Sequence, residues 1–349
     1  MVDKKTVILC ISTNLGISKL ISDNLEYHGF NVVKLVDNNG EIEKFEYPSI
    51  WERIKTHFRK KILKEKKAKC NYQSSKLILK INNNYRNTQF DYALFFLAQN
   101  FSVDLVKTIK EKTKNGKIVN YQWDGMKRYP HIYNYINLFD RFLSFEPSDI
   151  SENILPATSF YFDNDLEKKP TEYDFYFLGS HNSSRTKIIC QFADYAEQTN
   201  LNINIQVVCP KNKFNECKKT YPKNITLLEH NQVKTFSENL LASRKAKILV
   251  DFVIDEHQGL SLRTFEALGH DKKLITTNKE IVKYDFYHPN NIFVLDDNFD
   301  EIPEFLEKPY RSLDSNIKQK YSFGNWIRYV LDIQPYQPIL LPTNKDETI

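Results

Sequence analysis

Apolar residues in this chain fall in short runs, and the runs alternate between two spacings. Residues 6–12 (TVILCIS) are apolar almost throughout, the pattern of a strand buried on both faces. Asn14 and Gly16 make a turn. Ile17, Leu20, Ile21 and Leu25 then recur at helical spacing until Gly29 stops the helix. Residues 31–36 form the next strand, so the chain opens as a βαβ unit and a parallel sheet is expected. The alternation continues with strands at 92–97, 117–122 and 141–145, a helix at 103–112 and another around Tyr133. Between 156 and 170 the pattern lapses into an aromatic, acidic, proline-bounded stretch, which reads as a linker.

A second alternating unit begins with the strand 173–178 and a helix at 185–196. Strands follow at 203–208, 225–228 and 246–250, with a helix at 235–241 before the last of them. A helix at 260–268 and strands at 273–276 and 291–294 complete the unit. A helix at 322–331 and a loosely held tail end the chain. The fold class expected is α/β, with two Rossmann-like domains facing each other across a cleft and a C-terminal helix. The boundaries fall at 1–165, 166–320 and 321–349.

The length of 349 residues allows two cores, and 41% hydrophobic with 27% charged residues is ordinary for a globular chain. No apolar run reaches the ~20 residues of a membrane span. The first 14 residues read as a strand rather than an export signal, so a cytoplasmic location is expected. The five cysteines show no metal-ligand spacing and are expected to be reduced. There is no GxGxxG after the first strand, no P-loop and no HExxH, which disfavours dinucleotide oxidoreductases, P-loop enzymes and zinc proteases.

The strongest chemical signal runs from 248 to 278, ILVDFVIDEHQGLSLRTFEALGHDKKLITTN. A strand leads into a loop ending at Gly259, and a helix starts near Leu260 and Ser261. Such a helix start gathers unpaired N–H groups and positive dipole, a seat for a diphosphate. Arg263, one turn in, can reach the same anion with a bidentate fork. Glu266 lies three residues on, on the same face, where it can accept from ribose hydroxyls.

This segment resembles the donor-binding segment of GT-B glycosyltransferases that build bacterial capsule, lipopolysaccharide and exopolysaccharide. The likeness rests on GLSLRTFEALG with KKLITTN, on FYFLGS with the helix from Arg185, and on KYSFGNWIRYVL near the end. It covers most of the second half of the chain, and in the first half only the strand order and YQWDG. It implies a hexosyl-transferring enzyme that uses a nucleotide sugar and acts on a saccharide or lipid-linked saccharide. Gly179 and Ser180 would lie over the diphosphate with Arg185 beside them, and Glu266 would hold the ribose. Many members carry two glutamates eight positions apart. Here Gln258 stands in the first place, able to hydrogen-bond sugar hydroxyls but without charge. If Arg263 and the helix dipole carry the diphosphate charge, no metal or other cofactor is needed.

The first domain should supply the acceptor side. Asp124, in the loop after strand 117–122, is the candidate base or acceptor guide, and Asn14 and His131 are weaker acceptor contacts. Asp163-Asn164-Asp165 spells a metal-binding triplet of other glycosyltransferases but lies in the linker, and reads as loop. From Trp51 to Lys69 nine Lys or Arg face two Glu, and Trp51, Ile54, Phe58 and Ile62 form one apolar stripe. A helix of this kind can lie on an anionic membrane surface. A solvated surface helix is the equal alternative, and nucleic acid is not expected as a partner. The competing whole-protein reading is a non-catalytic basic α/β protein that binds membrane or nucleic acid through residues 51–69.

Overall fold

The computed structural model describes residues 4–12, 15–36, 49–61, 67–255, 257–296 and 298–342, with 57–61 as backbone only. Asn14, one of the acceptor candidates, lies outside the described residues. The chain divides into two compact units. Unit 1 takes Met1–Ser144, Asp149–Ala157 and Val330–Ile333, and unit 2 takes Phe145–Ser148, Thr158–Tyr329 and Gln334–Ile349.

Unit 1 runs β1 (Thr6–Cys10), α1 (Ile17–Tyr27), β2 (Asn31–Lys34), α2 (Ile50–Lys61), α3 (Ala68–Asn84), β3 (Tyr92–Phe96), α4 (Val103–Glu111), β4 (Lys117–Gln122), β5 (Arg141–Ser144) and β6 (Leu155–Pro156). The six strands pair in parallel in the order β2-β1-β3-β4-β5-β6. The first five therefore keep the flavodoxin-like order, whose direction reverses between β1 and β3. Helix α4 shows how local sequence sets an element. The Ser102 hydroxyl caps it by accepting from Leu105 N at 3.2 Å, and Leu105, Val106 and Ile109 are buried against the sheet. Around Tyr133 the expected helix is a 3-10 stretch, Pro130–Leu138. Its buried residues, Ile132 and Tyr135, are three apart, which suits three residues per turn.

Unit 2 runs β7 (Tyr173–Ser180), α5 (Ser183–Gln198), β8 (Ile203–Cys209), α6 (Phe214–Thr220), β9 (Thr226–Glu229), α7 (Phe236–Arg244), β10 (Ala246–Asp251), α8 (Leu262–Gly269), β11 (Lys273–Thr276), β12 (Ile292–Val294), α9 (Ile302–Glu307), α10 (Ser315–Lys320) and α11 (Phe323–Leu331). Its parallel sheet has the order β12-β11-β10-β7-β8-β9. Counted within the unit this is 6-5-4-1-2-3, the Rossmann order, reversing between β7 and β10. Both units are thus Rossmann-like. Each carries its own core: strand residues of unit 1 are buried on both faces of its sheet, Ile8 and Cys10 on one and Val7 and Leu9 on the other, and two buried clusters lie on the faces of the unit 2 sheet.

Three expectations change. The basic helix expected over 51–69 is α2 alone as far as Lys61. Residues 68–69 start α3, where Ala68 is buried, and 62–66 lie outside the described residues. The segment read as a linker is packed: Phe160, Tyr161 and Phe162 are buried, and the Phe160 ring lies 4.4 Å from that of Trp326. Aromatic rings of this size are held because each removes a large apolar area from water. The described part of the tail, as far as residue 342, is anchored, since Gln337 N donates to Asn325 Oδ1 at 2.7 Å and Ile339 is buried.

Candidate functional site

Ligands of open α/β sheets sit beyond the carboxyl ends of the strands where strand order reverses. In unit 2 those ends are Leu178-Gly179-Ser180 of β7 and Asp251 of β10, on neighbouring strands. Two arginines converge there. Arg263 donates to Asp251 Oδ1 at 3.2 Å and to Leu178 O at 2.5 Å. Arg185 donates to Phe252 O at 2.8 Å and to Ser180 O. Both guanidiniums lie over the buried Phe177 ring, at 4.9 Å for Arg263 and 5.3 Å for Arg185. Gly179 makes this possible. A Cβ there would meet the Phe177 ring at 2.6 Å and Arg185 Nη2 at 2.8 Å.

The electrostatics are unusual for an interior. Asp251 is buried and holds both Arg263 and the Ser261 hydroxyl, which donates to its Oδ2 at 2.6 Å. Ser261 is the N-cap of α8, yet its side chain makes no capping bond, because Asp251 takes it. Burial, and then the charge of Arg263, push Arg185 below the ordinary guanidinium range. Burial holds the Glu266 carboxyl above its usual value against the pull of Arg263, with Ser243 also within hydrogen-bond reach. The buried Nε atoms of Arg185 and Arg263 have no hydrogen-bond partner. Among the described residues, the N–H groups of Leu260, Ser261, Leu262 and Arg263 donate to no protein acceptor either. Two guanidiniums and an unpaired helix start at one strand end are what a diphosphate requires.

The loop before α8 is held by a residue outside the sequence-derived set. Glu146, just beyond β5 and 4% exposed, accepts from Gln258 N at 3.1 Å and from Gly259 N at 3.3 Å. These two N–H groups are therefore occupied by a carboxylate of the chain itself. Asn278 Nδ2 donates to Gln258 O at 3.2 Å from the other side, so the loop is held at both edges. Gly259 sits directly on Phe145, whose ring a Cβ would meet at 2.5 Å. Gln258 itself is exposed, and Leu260 contributes its side chain to the core and only its backbone to the loop.

The sequence-derived residues thus divide. Gly179, Ser180, Arg185, Ser261 and Arg263 gather at one strand end, with Leu260 contributing its N–H and Glu266 buried behind Arg263. Asp251 and Glu146 are the residues missed. Each is an acidic residue at or just after the end of a buried strand run, and that is the signal that marks them. His181 is turned to Tyr221, its Nδ1 3.0 Å from the tyrosine Oη, and takes no part.

In unit 1, Asp124 accepts from Arg128 Nη1 at 2.8 Å and from Tyr129 Oη at 2.9 Å. His131 lies on the wall of a cavity of about 640 Å³ that Lys67, Asn71 and Tyr135 also line, and Asp124 is not among its lining residues. The Asp163–Asp165 triplet is structural, as Asp163 accepts from Gly324 N at 3.1 Å and Asp165 from Arg244 at 2.5 Å. Among the described residues no cluster of three or more His, Cys, Asp or Glu could hold a metal. None of the described helices is long and apolar enough to cross a membrane.

No protein-family model and no curated protein matches the chain. Among solved structures it is similar to the lipopolysaccharide outer core galactosyltransferase WaaB, at 12% identity and a TM-score of 0.44, covering 91% of this chain and 96% of that one. A Listeria monocytogenes protein assigned as a UDP-N-acetylglucosamine 2-epimerase matches at 9% identity and a TM-score of 0.44, over 97% of this chain and all of its own. MurG of Acinetobacter baumannii matches at 11% identity and a TM-score of 0.33, over 78% of each chain. At such scores no residue role passes from these proteins to this chain, and roles rest on its own geometry.

Proposed function

We propose that the chain is a nucleotide-sugar-dependent glycosyltransferase that moves a hexosyl unit to a saccharide or lipid-linked saccharide in bacterial surface polysaccharide synthesis. One observation carries this reading. At the β7/β10 switch point, two half-buried guanidiniums, each with a buried and unpartnered Nε atom, stand beside four N–H groups at the start of α8 that find no acceptor among the described residues. Arg263 and Arg185 would neutralise the diphosphate as it leaves, which stabilises the transition state without a metal. Glu266 would take the ribose hydroxyls and the exposed Gln258 amide the sugar. The match of GLSLRTFEALG to GT-B donor segments points the same way.

Asp124 is the candidate carboxylate for the acceptor hydroxyl. Arg128 and Tyr129 each donate to one of its oxygens, which favours orienting the acceptor over strong general-base work. The exposed apolar residues of α2 support a peripheral membrane contact on the cytoplasmic side, where such acceptors would be reached.

Calorimetric titration with UDP, GDP, CMP and dTDP tests the donor site. At least one nucleotide should bind, and Arg263→Ala and Glu266→Ala should each weaken it about tenfold or more, the cost of a lost charged hydrogen bond. Unaltered affinity in both variants, with melting curves showing them folded, would remove the assignment.

A further inference from the structure

The cavity in unit 1 opens between the start of α3, the N-terminus of α4 and the 3-10 stretch, and it is lined by Lys67, Asn71, Tyr72, Ser75, His131 and Tyr135, among others. Its volume of about 640 Å³ is ample for a mono- or disaccharide, since small-ligand sites span roughly 300–1,000 Å³. Lys67 precedes α3 and is half-buried. Its ammonium donates to Tyr135 Oη at 3.1 Å and lies 4.9 Å from the centre of that ring. Tyr135 Oη in turn donates to Phe101 O at 2.8 Å, which fixes the phenol and with it the position of the ammonium.

No carboxylate of the described residues lies within ion-pairing distance of Lys67. Asp104, at the start of α4, is the acidic member of the lining and is exposed. A half-buried cation with no ion-paired carboxylate among the described residues is costly, and a bound anion recovers that cost. Burial lowers the Lys67 pKa, and burial together with the charge of Lys67 lowers that of His131. Asn71, Asn134 and Ser75 add polar groups suited to sugar hydroxyls.

We propose that this cavity binds a saccharide bearing an anionic group, a phosphate or a carboxylate, with Lys67 as the cation that meets the charge and His131 beside it. The proposal deepens the transferase reading and rests on it in one respect: the saccharide is taken to be the acceptor. It makes the acceptor acidic, where the donor site leaves its chemistry open.

The test uses the full chain with labelled histidine rings, the His131 signal being identified by its loss in His131→Gln. Glucose 1-phosphate and glucuronate should shift that signal saturably, whereas glucose should bind at least about tenfold more weakly. Glucose 1-phosphate alone shifting the signal narrows the group to a phosphate, and glucuronate alone narrows it to a carboxylate. Lys67→Gln should weaken the anions about tenfold or more, while Lys67→Arg, which keeps the charge, should retain them. Glucose binding as tightly as both anions, or Lys67→Gln retaining full anion affinity, overturns the proposal. Arg263→Ala should lose nucleotide and keep the anions. A chain that binds the anions here but no nucleotide upholds the cavity and removes the transferase. A chain that binds nucleotide with His131 unmoved by either anion keeps the transferase and removes the cavity.

Discussion

Glu146 sits 112 positions from its partner Gln258 in sequence, yet its carboxylate closes the loop that leads into α8. The Gly259 N–H is held in a buried setting and that of Gln258 in a part-buried one, so removing the acceptor leaves donors unsatisfied. Glu146→Ala should therefore lower stability by about 1–3 kcal/mol. Glu146→Gln, whose amide oxygen still accepts, should recover most of that. Urea unfolding of the two variants measures it, and an alanine variant as stable as the parent would show that the bonds contribute nothing. The contrast with Arg263 explains what the sequence revealed at this scale. Arg263 and Glu266 were legible because they lie on one helix, where periodicity fixes which residues share a face. Glu146 and its loop meet only through the fold. Asp251 was within reach of the sequence, as a carboxylate closing an apolar run. Its pairing with Ser261 and Arg263, ten and twelve positions on, depends on how the loop turns back.

Among the elements, α2 shows most clearly a pattern that packing does not explain. Ile50, Trp51 and Ile54 are 76, 79 and 51% exposed, with Arg53 and Lys55 interleaved. An apolar stripe buried by its own protein would not leave its tryptophan outside, whereas a stripe that enters a lipid surface would. Vesicles containing anionic lipid should shift the emission of Trp51 to shorter wavelength, and Trp51→Ala should lose that shift. Each surface cation contributes about 1 kcal/mol, so Arg53→Gln with Lys55→Gln should weaken binding roughly thirtyfold. Equal binding to neutral and anionic vesicles would reject the idea. Elements were legible where apolar runs were unbroken: the strand expected at 117–122 is β4, Lys117–Gln122. Helix α3 is not legible in the sequence because it buries little. Ala68, Ser74 and Ile81 are its buried residues, too few and too small to mark a helical period.

At the scale of the whole molecule, the alternation of strands and helices announced two α/β units but could not give their strand orders, which depend on pairings between distant segments. Nor could it show that the stretch after residue 156 is fastened rather than loose. Side-chain contacts within unit 2 fasten it. Trp326 Nε1 donates to Thr158 O at 3.0 Å, Gly324 N to Asp163, and Arg244 to Asp165. Arg244 is almost fully buried, and its neighbour His270 has a pKa lowered to about 4, by burial first and then by the charges of Arg244 and Lys272. In the unfolded chain this histidine titrates near 6.5, so between pH 6.5 and 4 the unfolded state binds a proton that the native state refuses. Stability must fall as pH drops through that window, by about 1.4 kcal/mol per pH unit for one group. Asp165 acts lower down. Burial pushes its pKa up, but the bond and charge of Arg244 outweigh this and leave it below the ordinary value. Its stabilising contribution is thus present at neutral pH and is lost only as pH falls through that lowered value. Thermal melts should show a midpoint declining from pH 6.5 to 4.5, and His270→Gln should flatten that slope whatever it does to the midpoint at pH 7. A parent protein with a level midpoint over this range, or a variant with the same slope, would place the acid sensitivity elsewhere than at the fastening of this segment.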